Sequence, residues 1–245
     1  MSPTRRQVLS WGLAAVAAAG VLGSGCMRQR RLGVGLQTWA GYQFLTLADR
    51  RGWYEDQPLE LLTFDGAETI ATALADGSID AATMTLDDAI RLRARGVDLQ
   101  VALVFDVSAG NDVVLTGRDI DTLAGLRGRR LGVESTALGD LLLAEVLYAA
   151  GLDASDVQVV RIGEDHYRAW LRGGLDAVLT FGHSGELLRR EGLRVLADSR
   201  SFRQVILDVL AVRRSTDAAQ QRTLRALVAG HFRALGLWQK NPIDA

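Results

Sequence analysis

Two halves of the chain resemble each other, and their landmark residues lie just under 100 positions apart. The run Leu-Gly-Val occurs at residues 32–34 and again at 131–133, an offset of 99 (131 − 32). This offset is far longer than a solenoid repeat. Any two βαβ units share helix-ending glycines, but several landmarks at a nearly constant offset predict two similarly built lobes. The other landmarks recur at offsets of 96 to 99, as Gly52 with Gly151, Gly66 with Gly163, Leu74 with Leu171, and Gly-x-x-Asp-Ala at 77–81 with 173–177.

Short β-rich runs alternate with segments of helical spacing along the chain. Strands separated by helices form parallel sheets with helices on their faces. With 245 residues, 48% of them hydrophobic, the chain can fill the cores of two lobes. We therefore predict an α/β protein with two lobes, each a mostly parallel sheet flanked by helices. In the first half, strands are predicted at 32–37, 59–64, 80–85 and 101–105, and helices at 42–51, 68–76 and 87–95.

Two such lobes place a ligand site in a predictable position. Ligands of open parallel sheets bind beyond the carboxyl ends of the strands, and pockets favour interfaces between domains. The strand-end loops of both lobes are therefore expected to line one cleft, and residues 106–112 are expected to cross between the lobes. The loops in question are 38–42 and 83–87 in the first lobe, and 134–139 and 180–184 in the second.

The N-terminus is typical of an export signal. Arg5 and Arg6 precede a 15-residue run, 8–22, that is apolar apart from Ser10. This run is too short for a bilayer span, which needs about 20 residues. The order of basic, apolar and small residues predicts a signal peptide at residues 1–25. The paired arginines resemble a twin-arginine signal, although such pairs also occur in general export signals.

Cys26 is the only cysteine, so the chain forms no internal disulfide. It stands where the apolar run ends, behind two small residues, and resembles the lipid-modified cysteine of bacterial lipoproteins. The alternative is a cysteine that lies near a cleavage site by chance. Lipidation predicts a membrane-anchored protein of the periplasm or cell surface, with residues 26–31 as a basic tether. Stable anchoring needs more than one acyl chain, and lipoproteins of this kind carry several.

Five runs of the chain lie at residues 36–56, 84–92, 104–115, 126–143 and 202–213. Their order and spacing resemble those of the bacterial substrate-binding proteins of nitrate, sulfonate, taurine and thiamine-precursor ABC importers. This resemblance implies the type II periplasmic-binding-protein fold, in which the chain crosses the hinge twice. It places the first lobe at residues 32–106 and 199–245 and the second at 107–198. The runs are LQTWAGYQFLTLADRRGWYED (36–56), MTLDDAIRL (84–92), VFDVSAGNDVVL (104–115), LRGRRLGVESTALGDLLL (126–143) and FRQVILDVLAVRR (202–213).

Two departures from the family pattern affect what can be transferred. Relatives often carry Glu-Pro after the aromatic residue of the second lobe's strand-end loop, whereas here Phe181 is followed by Gly182 and His183. The ligand preference of a relative is therefore not transferable. Relatives also continue through several more helices, whereas this sequence ends just past a predicted helix at 217–240. We therefore expect apolar surface to be exposed on the first lobe.

Nine residues at strand ends and in the crossing segments are candidate ligand contacts. Aromatic residues of these loops suit a planar ring. Ser135 and Thr136 are placed to present hydroxyl and N–H groups to an anion at a helix N-terminus, or only to cap that helix. Asp208 is expected either to reach the cleft or to bond within the hinge. The candidates are Trp39, Tyr42, Thr85, Ser108, Ser135, Thr136, Phe181, His183 and Asp208.

The three histidines show no metal-ligand spacing. His166 and His231 are predicted to be surface residues, and His183 is a candidate contact for an anionic ligand. The sequence contains no Gly-rich phosphate loop, and Ser184 does not stand in a GxSxG motif. We therefore predict no catalytic residue, no metal and no cofactor.

The resemblance implies the solute-binding component of an ABC importer, which captures a sulfonate-, nitrate- or pyrimidine-like solute by hinge closure. Its partner is a membrane permease, and the protein is expected to be a monomer. The net charge of −1 lacks the basic excess of a nucleic-acid binder. One alternative is an enzyme like the pyrimidine synthases of this fold, which carry a cysteine-rich segment. Another is an exported sensor that docks on a separate receptor.

Overall fold

The computed structural model describes residues 30–117, 119–202 and 206–241. The first lobe contains a sheet in the order β2-β1-β3-β10-β4. Its helices are α1 (Gln43–Arg50), α2 (Ala67–Asp76), α3 (Leu86–Ala94) and the long α7 (Ala218–Lys240). The strands are β1 (Leu32–Leu36), β2 (Leu59–Thr63), β3 (Ala81–Thr85), β4 (Leu99–Val107) and β10 (Leu207–Arg213).

The second lobe contains a sheet in the order β7-β6-β8-β5-β9. Its helices are α4 (Ala137–Ala150), α5 (His166–Leu171) and α6 (Gly182–Arg190). The strands are β5 (Val113–Thr116), β6 (Arg130–Glu134), β7 (Gln158–Ile162), β8 (Ala177–Thr180) and β9 (Arg194–Asp198). The two sheets therefore have the same layout, and helices flank both, as the sequence predicted.

Four strands of each sheet run in one direction and one runs against them. In the first lobe the exception is β10, which pairs antiparallel with β3 and β4. In the second it is β5, antiparallel to β8 and β9. Each exception is the first strand after a crossing, since β5 follows β4 through residues 108–112 and β10 follows β9 through 199–206. The crossings thus connect the edge strand of one sheet to an inner strand of the other.

The sheet register corrects the sequence correspondence. Val34 pairs with Ala81 in the first lobe, and Leu131 pairs with Ala177 in the second. The equivalent positions of β1 and β6 are therefore 97 apart (131 − 34), and the Leu-Gly-Val repeat at an offset of 99 is not the structural match. Gly35 and Gly132 are equivalent instead. A Cβ on Gly35 would lie 2.7 Å from Cδ1 of Ile79, and one on Gly132 would lie 2.8 Å from Cδ1 of Leu175, so a larger residue at either position would require these side chains to shift.

Each lobe has its own hydrophobic core, so each half of the chain can build its own sheet and helices from a similar sequence of elements. In the second lobe α4 covers one face of the sheet, burying Leu142 and Val146 against Leu131 and Val133. In the first lobe α1 and α7 cover one face, and α2 and α3 the other. Asp217 begins α7 with a capping box that includes Gln220.

His231 lies in the core of the first lobe, so its prediction as a surface residue was wrong. It is 2% exposed and packs edge-on against Phe44 and Phe105. Helical spacing on α7 turns it toward α1, and burial lowers its pKa because the charged imidazole would lose hydration.

The first lobe exposes a set of large apolar side chains. They stand on the edge strand β4 and on α7, and each is between 43% and 54% exposed: Val101, Val104, Val107, Phe232 and Trp238. The predicted signal peptide and Cys26 lie outside the described residues, as does most of the predicted tether. Among the helices that the structure describes, none has the length and hydropathy needed to cross a membrane.

Candidate functional site

A cavity of about 670 Å³ lies between the strand-end loops of the two lobes. The segments after β1, β2 and β3 contribute one wall, and the segments after β6, β7 and β8 contribute the other. The first crossing and Ile206, at the end of the second, also line it. Its volume is typical of a site that encloses a small molecule. The side chains that line it include Trp39, Tyr42, Phe64, Asp65, Thr85, Asp88, Asp106, Ser108, Asp112, Glu134, Thr136, Glu164, Phe181 and Asp208.

Seven of the nine predicted site residues line this cavity. Ser135 and His183 do not line it, and both residues are exposed. Ser135 follows directly on β6, where its backbone N–H donates to the carbonyl of Ile162, and His183 is the second residue of α6. The residues that the structure brings together are Trp39, Tyr42, Thr85, Ser108, Thr136, Phe181 and Asp208.

Thr136 caps the helix that begins in the second wall. Its hydroxyl accepts a hydrogen bond from the N–H of Gly139 at 3.1 Å, which satisfies one donor of the first turn of α4. Gly139 is needed for this arrangement, since a Cβ there would lie 2.1 Å from the carbonyl oxygen of Glu134. The loop thus holds Glu134 firmly against the start of α4.

Tyr42 and Asp208 join the first wall to the hinge. The Tyr42 hydroxyl donates to Oδ1 of Asp208 at 2.7 Å, and both side chains are buried. Burial raises the pKa of Asp208 to about 7; the Tyr42 hydrogen bond opposes this rise, and the charges of Asp106 and Asp112 add to it. Burial also raises the pKa of the Tyr42 hydroxyl well above its usual range, so the hydroxyl remains a donor.

The two crossings are bonded to each other through short polar side chains. The hydroxyls of Ser108 and Ser199 are 2.8 Å apart, and Ser199 accepts from the N–H of Gly110 at 2.7 Å. Ser108 also donates to the carboxylate of Asp112. Burial raises the pKa of Asp112 to about 6, against the lowering effect of Ser108. This cluster connects the segments that must bend if the lobes move.

The charged side chains of the described lining are carboxylates, and only one of them, Asp208, was predicted as a site residue from the sequence. Seven described lining residues are acidic, and none is Arg, Lys or His. Asp106, Asp112 and Glu134 lie within the loops that the sequence had marked, and Asp88 lies one position beyond, so the signal was available. The seven are Asp65, Asp88, Asp106, Asp112, Glu134, Glu164 and Asp208.

His166 supports the second wall from behind, and its prediction as a surface residue was wrong. It is 1% exposed, because the first residue of the short α5 turns inward beneath the ends of β6 and β8. Its Nε2 lies 3.2 Å from Oε2 of Glu134, and its Nδ1 lies 3.0 Å from the Thr180 hydroxyl. The ring also packs edge-on against Phe181, with centroids 5.2 Å apart. His166 thus positions two lining residues without itself reaching the cavity.

The lobes touch at the rim of the cavity. Arg91 of α3 lies 2.6 Å from Asp140 of α4, which Arg161 also contacts at 2.7 Å. Burial alone would raise the pKa of Asp140, but the hydrogen bonds from Arg91 and Arg161 lower it overall. Across the opening, a Cβ on Gly182 would lie 3.5 Å from the Trp39 ring. In the part of the chain that is described, no cluster of His, Cys, Asp and Glu has metal-binding geometry.

Comparisons with known proteins agree with this architecture. A family model described as NMT1/THI5 like matches residues 39–245. The chain is similar to the crystal structure of the periplasmic aliphatic sulphonate binding protein of Escherichia coli, with 23% identity and a TM-score of 0.75 over 87% of this chain and 75% of that one. A second similar structure, the alkanesulfonate-binding protein of Xanthomonas axonopodis pv. citri bound to MOPS, gives 21% and 0.70 over 86% and 75%. These likenesses confirm the predicted two-lobed fold.

A curated relative is known from Haemophilus influenzae and is named for thiamine biosynthesis. It is 26% identical over 138 residues, which are 55% of this chain and 44% of the relative. The match thus spans less than half the length of that protein.

Proposed function

Because the chain belongs to the NMT1/THI5-like family, we propose that it is the extracytoplasmic solute-binding component of an ABC importer. The observation that carries this proposal is the cavity, to which strand-end loops of both lobes contribute. Such a site is complete only when the lobes face each other, as in proteins that close around a solute. The partner is a membrane permease, and the protein works as a monomer.

Closure by hinge bending is tested with scattering and paired variants. A solute that contacts both walls binds the closed arrangement better than the open one, so it compacts the protein. Tyr42→Phe weakens the first wall and Thr136→Ala the second, and the double variant should lose less affinity than the sum of the two losses. Small-angle scattering with and without solute measures compaction. Superimposable curves together with strictly additive losses would place the solute on one lobe.

The proposal includes release of the solute unchanged. The buried Thr180, His166 and Glu134 chain is the nearest arrangement to a nucleophile with a base, yet Thr180 is fully buried and does not line the cavity. Glu134 alone of the three faces the solute. Mass spectrometry of solute recovered after long incubation is the test. Conversion of the solute would favour an enzyme, the function to which the name of the Haemophilus influenzae relative points.

Membrane attachment through Cys26 is the part of the proposal that rests on sequence alone. The export signal at residues 1–25 directs the chain across the membrane, and lipid on Cys26 retains it there. Cys26→Ala should therefore move the protein from the membrane fraction to the soluble fraction. Ser24→Ala is a control that keeps a small residue before the cysteine. Unchanged attachment of the Cys26→Ala variant would contradict lipidation.

A further inference from the structure

The charge of the cavity lining narrows the solute class. Seven carboxylates surround a space of about 670 Å³, and the described lining residues include no basic side chain to offset them. Three of these carboxylates, Asp112, Glu134 and Asp208, are each less than 10% exposed. Buried carboxylates need partners. Asp112 and Asp208 accept from the neutral hydroxyls of Ser108 and Tyr42, and Glu134 lies beside the His166 imidazole, so hydroxyls alone offset two of the three charges.

The two arginines at the rim are paired outside the cavity, although the charge of Arg91 partly opposes the rise in the pKa of Asp88. Arg91 and Arg161 both bind Asp140 at the rim, and neither lines the cavity. Helix N-termini also attract anions, but the first turn of α3 already contains Asp87 and Asp88, and that of α4 contains Asp140; the first turn of α6 contains no acidic residue. An anionic solute would therefore meet like charge on both walls.

Aromatic rings supply a second, independent feature of the same cavity. Trp39, Tyr42 and Phe64 line it from the first lobe, and Phe181 lines it from the second. Aromatic faces carry partial negative charge and attract cations, ammonium groups above all. Rings combined with carboxylates bind a positively charged group attached to a flat or apolar body.

Resting on the function proposed above, we infer that the solute is an organic cation, which carries a protonated amine or quaternary ammonium group. Among the solutes that the sequence predicts, a positive charge favours a nitrogen-rich heteroaromatic compound over a sulfonate or nitrate. Asp88 and Glu134 come from opposite walls. Burial and the charge of Asp87 raise the pKa of Asp88 most, Thr85 and Arg91 oppose the rise, and the charge of Glu134 adds a smaller contribution. They are the first candidates to contact the charge of the solute. His166 holds the Glu134 carboxylate in place at 3.2 Å.

The first test uses compounds that share a benzyl body and carry a cationic, a neutral or an anionic group. Benzyltrimethylammonium, benzyl alcohol and phenylmethanesulfonate are compared by thermal shift and calorimetry at low salt and pH 8, with inorganic nitrate as a further anion. We expect the cation to bind and to stabilise the protein most, since ligand bound to the folded state raises its stability. Tighter binding of phenylmethanesulfonate or nitrate would overturn the inference and leave the proposed function intact.

Variants then test the two carboxylates. Asp88→Asn and Glu134→Gln should each weaken binding of benzyltrimethylammonium about tenfold, because each removes a charged partner and little volume. The control is Glu60→Gln on the exposed side of β2, which should change nothing. Asp88→Asn should also keep or raise the unliganded melting temperature, whereas a residue needed only for structure would lower it. Unchanged cation affinity in both variants would contradict the inference.

A wider panel of compounds distinguishes failure of the cation inference from failure of the proposed solute-binding function. Cationic, neutral and anionic members of benzyl, pyrimidinylmethyl and butyl series are screened at millimolar concentration, with scattering as a second readout. Binding confined to neutral or anionic members would reject the cation and retain solute capture. No stabilisation and no compaction by any member would contradict the proposed function itself.

Discussion

Carboxylates on the outer surface and carboxylates in the cavity stand in opposite surroundings. Asp176, at the outer end of β8, accepts hydrogen bonds from the backbone, Nε and Nη2 of Arg130 at 2.8 to 3.2 Å, and these bonds lower its pKa. Asp198, at the start of the second crossing and outside the cavity lining, is likewise held by Arg200, with a lowered pKa. In the cavity, burial raises the pKa of Asp88 to about 6 and that of Asp208 to about 7. Asp176 and Asp198 therefore stabilise the fold when ionised, whereas Asp88 and Asp208 destabilise it.

This difference shows how a binding site can be recognised: its ionised side chains lower the free energy of unfolding. A carboxylate with a raised pKa holds its proton in the folded state after the unfolded chain has lost it. The free energy of unfolding then declines as the pH rises from about 4 to the folded pKa, and stays low above it. Groups with this behaviour cluster at functional sites, because a ligand supplies the interaction that the fold omits.

The largest expected effect on stability comes from a substitution that shifts the backbone of Glu134, one of the cavity carboxylates. Gly139→Ala places a Cβ 2.1 Å from the Glu134 carbonyl oxygen, so α4 or the end of β6 must shift. We expect a loss of about 3 kcal/mol in the free energy of unfolding, measured with urea. The matched control is Gly236→Ala in α7, where a Cβ meets nothing within 4 Å and alanine should stabilise the helix by up to about 1 kcal/mol. Equal effects of both changes would mean that Glu134 is not held tightly.

Neutralising Asp208 should stabilise the protein, with a size that depends on pH. The Asp208→Asn variant keeps an oxygen for the Tyr42 hydroxyl and removes repulsion from Asp106 and Asp112, the acidic groups that face this position. At pH 8 the wild-type carboxylate is ionised and costs stability, so Asp208→Asn should gain about 2 kcal/mol. Near pH 4 the group is protonated in the folded protein, and the gain should vanish. Thermal unfolding from pH 4 to 8 measures this; a loss that is equal at all pH values would mean that Asp208 serves only structure.

Fold and cleft were predictable from the sequence because periodicity and strand-end position suffice for both. Strands at 32–36 and 81–85 were located within one residue, and the marked loops line the cavity. The repeat offset was not, since Leu-Gly-Val matches by residue type, whereas the register follows from the pairing of Val34 with Ala81 and of Leu131 with Ala177. Such contacts cross the lobe and leave no local pattern.

The acidic lining was missed for a different reason. Asp88, Asp106 and Asp112 look like ordinary loop and helix-start residues, and a first-turn aspartate is favourable on any helix. Only the assembled cavity shows that no basic residue of the described lining accompanies them. His166 was missed similarly, because its burial depends on the packing of α5 under two strand ends.

Removing an outer carboxylate should have the opposite sign to Asp208→Asn and a smaller size. Asp176→Asn loses the charge that pairs with Arg130, and we expect it to lower the free energy of unfolding by about 1 kcal/mol at pH 7. Because the folded pKa is lowered, this contribution is present above about pH 4 and disappears as the pH falls further. Urea unfolding at pH 7 and pH 3 gives the two values. A gain in stability at pH 7 would remove the contrast between the two groups of carboxylates.

The smallest effect is expected at the rim, where Arg91 meets Asp140. Both side chains are nearly half exposed, at 46% and 43%, and such pairs contribute about 0 to 1 kcal/mol. Arg161 continues to pair with Asp140 in an Arg91→Ala variant, so unfolding should change little. The bridge joins the two lobes, however, so its loss should shift the closure equilibrium and weaken solute binding by about twofold. This effect should vanish at 1 M salt, where screening acts within about 3 Å.

Arg190→Ala, which breaks a pair with Glu186 inside α6, is the matched control and should leave affinity unchanged. Calorimetric titration at low and high salt distinguishes the two; an affinity loss shared by both variants would show that surface charge in general, and not this bridge, favours closure.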